Sequence, residues 1–148
     1  MDSIALTGSD PETLSLMRSV MHKKGCETPW IVWDSTVDNP PPFDKLITYK
    51  ACVYAAECMV LATHRILDRE NVDYIWIVDT DEFMVKDLDV FLKHTAESRM
   101  DDVVLGIGFS RFSRKALERI SRDFGTGLDY TGLAVVTLES ETESETAT

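Results

Sequence analysis

The chain has 148 residues, of which 44% are hydrophobic, and its formal net charge is −11. This length and composition fit one compact domain with a sizeable core and exclude wholesale disorder. Four glutamates in the last ten residues supply four of the eleven excess negative charges, so the body of the domain is acidic as well. An acidic body argues against binding to nucleic acid, whose phosphates need many Lys and Arg contacts, and against binding to anionic membrane surfaces.

Cysteine usage and hydropathy predict a cytoplasmic protein. Cys26, Cys52 and Cys58 form no CxxC pair and lie among apolar neighbours, as expected of reduced, buried thiols without zinc. The N-terminus lacks the pattern of a signal peptide, and no apolar stretch approaches the ~20 residues that span a bilayer. We therefore expect no membrane span.

Apolar runs and turn residues predict strands and helices that alternate along the chain. In chain order, the predicted elements are a strand at 3–7, a helix from 11 to about 24, a strand at 30–33, a loop at 38–42, a helix from 49 to about 69, a strand at 74–78, a helix at 87–99, a strand at 103–107, a helix at 113–123, a loop at 125–132 and a strand at 133–138. Ser9 or Asp10 is expected to cap the first helix, and Pro11 suits its first turn.

This alternation predicts an α/β fold with a mainly parallel central sheet flanked by helices. The run at 74–78 is wholly apolar, as is typical of a central strand covered on both faces. Residues 1–138 are expected to form the domain. Residues 139–148 are expected to form an acidic disordered tail, because they contain too little apolar surface to become ordered.

Polar clusters follow three of the predicted strands: Thr7-Gly8-Ser9, Asp34-Ser35-Thr36 and Asp79-Thr80-Asp81. In a parallel sheet the carboxyl ends of the strands share one edge, and ligands bind beyond that edge where the strand order reverses. The three clusters are therefore predicted to converge on one site.

The most specific local signal is the apolar strand that leads into Asp79-Thr80-Asp81. In extended backbone, side chains two residues apart point to the same side. Two such carboxylates can share Mg²⁺ or Mn²⁺, a hard cation that commonly takes its other ligands from phosphates and waters. The alternative is that Asp79 caps the next turn while Asp81 and Glu82 are merely solvated.

Two further positions are candidates for ligand contacts. Asp34 follows an apolar strand and can bind a base or a ribose hydroxyl, or else form a simple Asp-Ser turn. Arg111, with Arg114 and Lys115 after it, can face a diphosphate or lie on a solvated helix surface. No Gly-x-Ser-x-Gly elbow or phosphate-binding Gly-x-x-x-x-Gly-Lys loop is present in the sequence.

The sequence resembles the nucleotide-sugar-binding core of GT-A glycosyltransferases, most closely those of family 2 and its relatives. The specific part is the segment 72–83 (VDYIWIVDTDEF), followed by a helix-like segment at 87–92. Weaker similarities are Gly8-Ser9-Asp10-Pro11-Glu12 after the first strand, Trp33-Asp34-Ser35-Thr36 after the second, and the segment 108–118. The usual Glu-Asp acceptor motif is not clear, and Leu128-Asp129-Tyr130 lies where it would fall.

The resemblance implies a Rossmann-like GT-A core and site residues with distinct roles. Asp79 would contact the ribose or the metal, Asp81 would bind the metal, and Asp34 would contact the nucleoside. The candidate substrate-binding residues are Thr7, Asp34, Asp79 and Arg111. Asp129 would be the base that deprotonates the acceptor hydroxyl.

The resulting hypothesis is sugar transfer from a UDP- or GDP-linked donor to an unknown acceptor, assisted by Mn²⁺ or Mg²⁺. Family members usually exceed 200 residues, so a non-enzymatic interaction module on a GT-A-like scaffold is an alternative. A phosphohydrolase of the haloacid dehalogenase type ranks lower, because Phe83 stands where it would have Thr or Val. A short domain with three tryptophans can cover apolar surface by pairing with a second copy, so a homo-oligomer is a further alternative.

Overall fold

The computed structural model describes residues 2–36, 38–51, 55–97, 101–123 and 136–143. Strands and helices alternate over most of this chain. In chain order, the elements are β1 (Asp2–Thr7), α1 (Pro11–Lys23), β2 (Trp30–Asp34), β3 (Lys45–Ala51), α2 (Ala55–Glu70), β4 (Tyr74–Asp79), a 3-10 turn (Val85–Asp87), α3 (Leu88–Glu97), β5 (Val103–Leu105), β6 (Phe109–Ser113), α4 (Arg114–Asp123) and β7 (Val136–Glu143).

The described strands form one mixed sheet in the order β5-β6-β4-β1-β2-β3-β7. The four central strands are parallel to one another. β6 pairs antiparallel with β4 and β5, and β7 pairs antiparallel with β3. The α/β class is thus confirmed, but the prediction of a mainly parallel sheet holds only for its centre. Residues 106–108 are too few for the crossover that a parallel partner needs, so β5 and β6 form a hairpin.

The sheet separates two hydrophobic cores. One face packs Leu6, Trp33 and Trp76 against α1 and α3, whose buried residues include Met17 and Phe91. The other face packs residues such as Ala5, Trp30, Val32, Ile47 and Ile75 against Cys58, Ala62, Ile66 and Leu67 of α2 and Leu117 of α4. The domain therefore has three layers, with helices on both faces of the sheet.

The predicted start of the first helix is confirmed. The Asp10 side chain caps α1 by accepting a hydrogen bond from the Glu12 amide at 3.2 Å, and Pro11 occupies the first helical turn. The Asp10 side chain supplies an acceptor for one of the first backbone N–H groups, which have no partner within the helix, and Pro11 has no N–H group that would need one.

Three other predicted elements differ from the structure. The sequence analysis missed β3 and began a helix at residue 49, whereas residues 49–51 belong to β3 and α2 begins only at Ala55. The strand forms here because Ile47, Thr48 and Tyr49 are residue types that favour strands. β6 was also missed. Its buried side chains are those of Phe109, Arg111 and Ser113, and two of these three are polar, so the strand lacks the apolar pattern by which strands are predicted. Residues 139–143 of the predicted tail form the end of β7.

None of the helices in the described part of the chain combines the length and apolar character needed to cross a bilayer.

His64 makes the stability of the fold depend on pH. It is buried on α2, and this burial lowers the pKa of its imidazole, although the Leu117 backbone and the Asp68 and Glu118 carboxylates oppose the shift. Below about pH 6.5 the unfolded chain then binds more protons at this residue than the folded chain does. The free energy of unfolding should therefore fall as the pH drops from about 7.5 to about 5.5. Urea titrations should show a smaller fall in His64→Gln, and an equal fall would contradict this assignment.

Candidate functional site

The site lies where the strand order reverses at the carboxyl edge of the sheet. From β1 the chain passes through α1 to β2 on one side of β1, and later enters β4 on the other side. The loops after β1 and β4 therefore lie side by side at the point of reversal, which is where open α/β sheets hold their ligands. Thr7 pairs in register with Asp79, and Asp34 pairs with Tyr49.

A cleft of about 210 Å³ opens at this edge. It is lined by Thr7, Gly8, Ser9, Trp33, Asp34, Tyr49, Asp79 and Asp81. The convergence of the three polar clusters, predicted from the strand pattern, is thus present in the structure. Four of the predicted site residues meet in this cleft: Thr7, Asp34, Asp79 and Asp81.

The turn after β1 and the turn after β4 are hydrogen-bonded to each other. The Thr80 amide and hydroxyl both donate to the Thr7 carbonyl, at 2.8 and 3.0 Å. The Ser9 amide and hydroxyl both donate to Oδ1 of Asp81, at 3.1 and 2.9 Å. These four bonds fix the Asp81 carboxylate relative to the end of β1.

Each cleft carboxylate uses one oxygen to order its own surroundings. Oδ1 of Asp79 accepts a hydrogen bond from the Asp81 amide at 2.9 Å, and Oδ1 of Asp34 accepts one from the Thr36 amide at 2.9 Å. These are the turn-forming roles that the sequence analysis set against ligand binding. A carboxylate has a second oxygen, so a turn bond leaves acceptor capacity for a ligand.

The donor set suits a cation that takes most of its ligands from a substrate. Asp79 and Asp81 offer hard carboxylate oxygens, the ligand type that Mg²⁺ and Mn²⁺ prefer. Within the described residues, no group of three or more His, Cys, Asp or Glu side chains is placed to hold a metal. A pair of carboxylates without a third protein ligand is compatible with a cation completed by phosphates and waters.

Tyr49 is a cleft residue that the sequence analysis missed. It was assigned to a helix, whereas its position on β3 beside Asp34 brings it to the carboxyl edge. Only 5% of its surface is exposed. Burial, followed by the nearby Asp34 carboxylate and Cys58, raises the pKa of Tyr49 to about 12, so its hydroxyl keeps its proton at neutral pH. The aromatic and β-branched run around it was the signal that could have identified the strand.

Arg111 does not belong to this cleft, contrary to the sequence-based prediction. Its side chain is 1% exposed and lies against the amino end of β1, where Nε donates to Oδ2 of Asp2 at 3.0 Å. The guanidinium also donates to the Asp101 carbonyl at 3.1 Å and stacks 3.9 Å from the ring centroid of Tyr74. Arg111 thus anchors the opposite end of the sheet.

Arg114 and Asp129 were the other residues predicted to contact a ligand. Arg114 also lies away from the cleft, since its guanidinium binds Asp68 of α2 and donates to the Val72 carbonyl at 3.2 Å. Asp129, the predicted acceptor-side base, lies outside the described residues.

A larger cavity of about 420 Å³ lies at the amino end of the sheet, between α1 and the residues that precede β2 and β3. Asp44 is the one carboxylate among the described residues that line it. This carboxylate lies 3.4 Å from the guanidinium of Arg18, which also lies over the Phe43 ring. This cavity lacks the convergent carboxylates of the cleft, so the smaller cleft is the candidate site.

Comparison of the chain with known protein families, curated proteins and solved structures finds no match.

Substituting Gly8 should disrupt the link between the two turns. A Cβ atom at this position would lie 2.0 Å from Oγ1 of Thr80, which is far inside van der Waals contact. We expect Gly8→Ala to lower the free energy of unfolding by about 2 kcal/mol. Thr80→Ala removes the clashing hydroxyl, so in a double-mutant cycle measured by urea denaturation the two changes should cost less together than the sum of their separate effects. Additive costs would argue against the contact.

Arg111→Met should damage stability without changing the cleft. It leaves Oδ2 of Asp2 without its charged partner at a site where the Trp76 indole is the other donor. We expect a loss of about 2–3 kcal/mol in the free energy of unfolding, because breaking a largely buried ion pair leaves a charge uncompensated. Metal and nucleotide binding, measured by calorimetry on the folded variant, should equal those of the wild type. If the folded variant lost metal or nucleotide binding, Arg111 would have to be assigned to the cleft after all.

Proposed function

We propose that this chain binds a nucleoside diphosphate sugar together with Mn²⁺ or Mg²⁺ and transfers the sugar to an acceptor, as a GT-A glycosyltransferase does. The observation that carries the proposal is the meeting of Asp79, Asp81 and Asp34 in one cleft. That cleft lies at the point of strand-order reversal, where nucleotide ligands bind in open α/β sheets.

The charge of the cleft supports a metal-dependent ligand. Among the described residues, eight line the cleft; three of them are aspartates and none is Lys or Arg. A diphosphate alone would be repelled by these carboxylates, whereas a divalent cation reverses the local sign of the potential. The cation would also neutralise the charge that develops on the departing diphosphate.

The residues of the cleft have separate proposed roles. Asp79 and Asp81 hold the cation, and Ser9 keeps the Asp81 carboxylate in place through its two hydrogen bonds. Thr7 lies between the cation site and Asp34 and contacts the substrate beside Asp79. Asp34 binds the nucleoside through the oxygen that its turn bond leaves available.

The acceptor side of the reaction is proposed from the sequence. Asp129 is the candidate base that removes the proton from the acceptor hydroxyl as the sugar bond forms. Its role is a separate hypothesis from donor binding, since a chain that binds the donor can still lack transfer activity.

Asp81→Asn should abolish metal-dependent nucleotide binding while preserving the fold. The amide oxygen can still accept from Ser9, but the charge that attracts the cation is lost. In the wild type, UDP or GDP with Mn²⁺ should raise the free energy of unfolding by ~2.7 kcal/mol at a hundredfold excess over the dissociation constant. Thermal denaturation with and without Mn²⁺ should show this shift in the wild type and not in Asp81→Asn.

Glu82→Gln is the matched control, because it removes an exposed carboxylate from the neighbouring residue, outside the cleft lining. It should keep the wild-type shift. Metal-dependent binding together with turnover of a UDP- or GDP-sugar would support the transferase, whereas binding without turnover would favour the non-enzymatic module. A folded wild type that responds to no nucleotide would contradict the site assignment.

A further inference from the structure

A second cavity, of about 420 Å³, lies at the opposite end of the sheet from the cleft and has no part in the proposed function. One wall of this cavity is a face of α1. Ser15, Arg18, Ser19 and His22 follow one another at helical spacing, so they lie in one row along the helix. Residues that precede β2 and β3 form the facing wall. A volume of this size is typical of small-molecule sites, which range from roughly 300 to 1,000 Å³.

Arg18 and Asp44 place one positive and one negative charge side by side in this cavity. A guanidinium nitrogen of Arg18 lies 3.4 Å from Oδ2 of Asp44, farther than the ~2.7–2.9 Å of a strong charge-assisted hydrogen bond. The side chains are 27% and 53% exposed, so a ligand can reach both. Because a guanidinium has several N–H donors and a carboxylate has two oxygens, this single contact leaves binding capacity on each.

Phe43 holds the guanidinium in place before any ligand binds. The Arg18 guanidinium lies over the Phe43 ring, 5.6 Å from its centroid. Phe43 itself packs against the hydrophobic core between α1 and the sheet. A side chain that is already positioned loses less conformational entropy on binding, so this stacking favours recognition of a planar carboxylate by Arg18.

The two charges together select the class of ligand. An anion that binds Arg18 is repelled by Asp44 and by the acidic chain as a whole, whose formal net charge is −11. A cation that binds Asp44 is repelled by Arg18. A ligand with adjacent carboxylate and ammonium groups avoids both penalties, since each of its charges faces the opposite charge of the protein.

The other lining residues complement such a ligand. Ser15 and Ser19 on α1 and Thr28 on the facing wall contribute hydroxyl groups, which can donate to a carboxylate and accept from an ammonium. Pro29 and Phe43 supply apolar surface beside these polar groups. The lining therefore offers contacts for both charges of a zwitterion and for an apolar substituent.

We propose that this cavity binds a free α-amino acid with an apolar side chain. The carboxylate of the amino acid binds Arg18, its ammonium binds Asp44 and its side chain lies against Phe43 and Pro29. The site is separate from the cleft and requires neither a metal nor a nucleotide.

The test uses L-leucine and L-phenylalanine, each with two analogues of the same side chain: the amine that lacks the carboxylate and the acid that lacks the ammonium. Titrations of the metal-free full chain, followed by nuclear magnetic resonance of the backbone amides, measure each affinity and locate the bound ligand. The tighter-binding amino acid should shift the signals of residues 15–22, 27–29 and 43–44. Its amine and its acid should each bind about tenfold more weakly or worse, since each lacks one charge-assisted contact.

Two variants should have opposite effects on the two analogues. Arg18→Met removes the partner of the carboxylate, so the affinity for the amino acid should fall about tenfold or more, while the affinity for the amine should not fall. Asp44→Asn removes the charge that binds the ammonium and should weaken the amino acid similarly, without weakening the acid. Loss of folding would weaken every ligand and would not produce this crossed pattern.

Lys23→Gln is the matched control, because it removes a positive charge from an exposed residue of the same helix, outside the cavity lining. It should leave every affinity at the wild-type level. Asp81→Asn, which disables the proposed metal site, should do the same, so the result does not depend on the proposed function.

Three outcomes would overturn the proposal. An acid that binds as tightly as its amino acid would make the cavity a simple anion site, and an equally tight amine would make it a cation site. If neither amino acid shifted the signals of the cavity residues in the folded wild type, the cavity would not bind this class of ligand.

Discussion

The arrangement of the cleft depends on the close approach of the turn after β1 to the turn after β4. The Thr7 carbonyl accepts two hydrogen bonds from Thr80, and Oδ1 of Asp81 accepts two from Ser9. This approach needs a glycine at position 8, where a Cβ atom would collide with the Thr80 hydroxyl. The switch point of the sheet is therefore held by short-range hydrogen bonds that also set the direction of the Asp81 carboxylate.

The same turn is supported from its other side. The Asp79 amide donates to the Gly108 carbonyl at 2.8 Å, and Gly108 has a φ of +77°, a conformation that favours glycine. A Cβ atom at Gly108 would lie 2.7 Å from the Phe83 amide nitrogen. The β5–β6 hairpin thus contributes to the site without lining the cleft, because its loop presses against the turn that presents the two aspartates.

The sequence predicted the parts of this fold whose signals are local. The cap at Asp10, the apolar run of β4 and the polar ends of β1 and β2 each follow from a few adjacent residues. β3 was missed because its residues run directly into the Ala- and Leu-rich pattern of α2, which favoured one long helix. β6 was missed because Arg111 and Ser113, two of its buried side chains, are polar. β7 was predicted only as far as residue 138, since the polar residues after it indicated a tail and its pairing depends on β3, which lies far along the chain.

The candidate site shows the same division. Asp79 and Asp81 were predictable because a single segment contains both the strand and the acids that follow it. Tyr49 was not, since its place in the cleft depends on a strand that the pattern concealed and on its register with Asp34. Arg111 was wrongly assigned to the cleft, because its position in the sequence does not show towards which end of the sheet its long side chain extends. In the structure its guanidinium binds Asp2 at the amino end of β1.

The position of Arg111 sharpens the electrostatic argument for the site. With that guanidinium bound at the amino end, the cleft-lining residues that the structure describes contain three carboxylates and no basic side chain. The body of the domain is acidic too, so long-range attraction does not draw an anion to this edge. Under the proposed function, a phosphate ligand would therefore depend on the cation for binding, since the cation supplies the positive charge that these side chains lack.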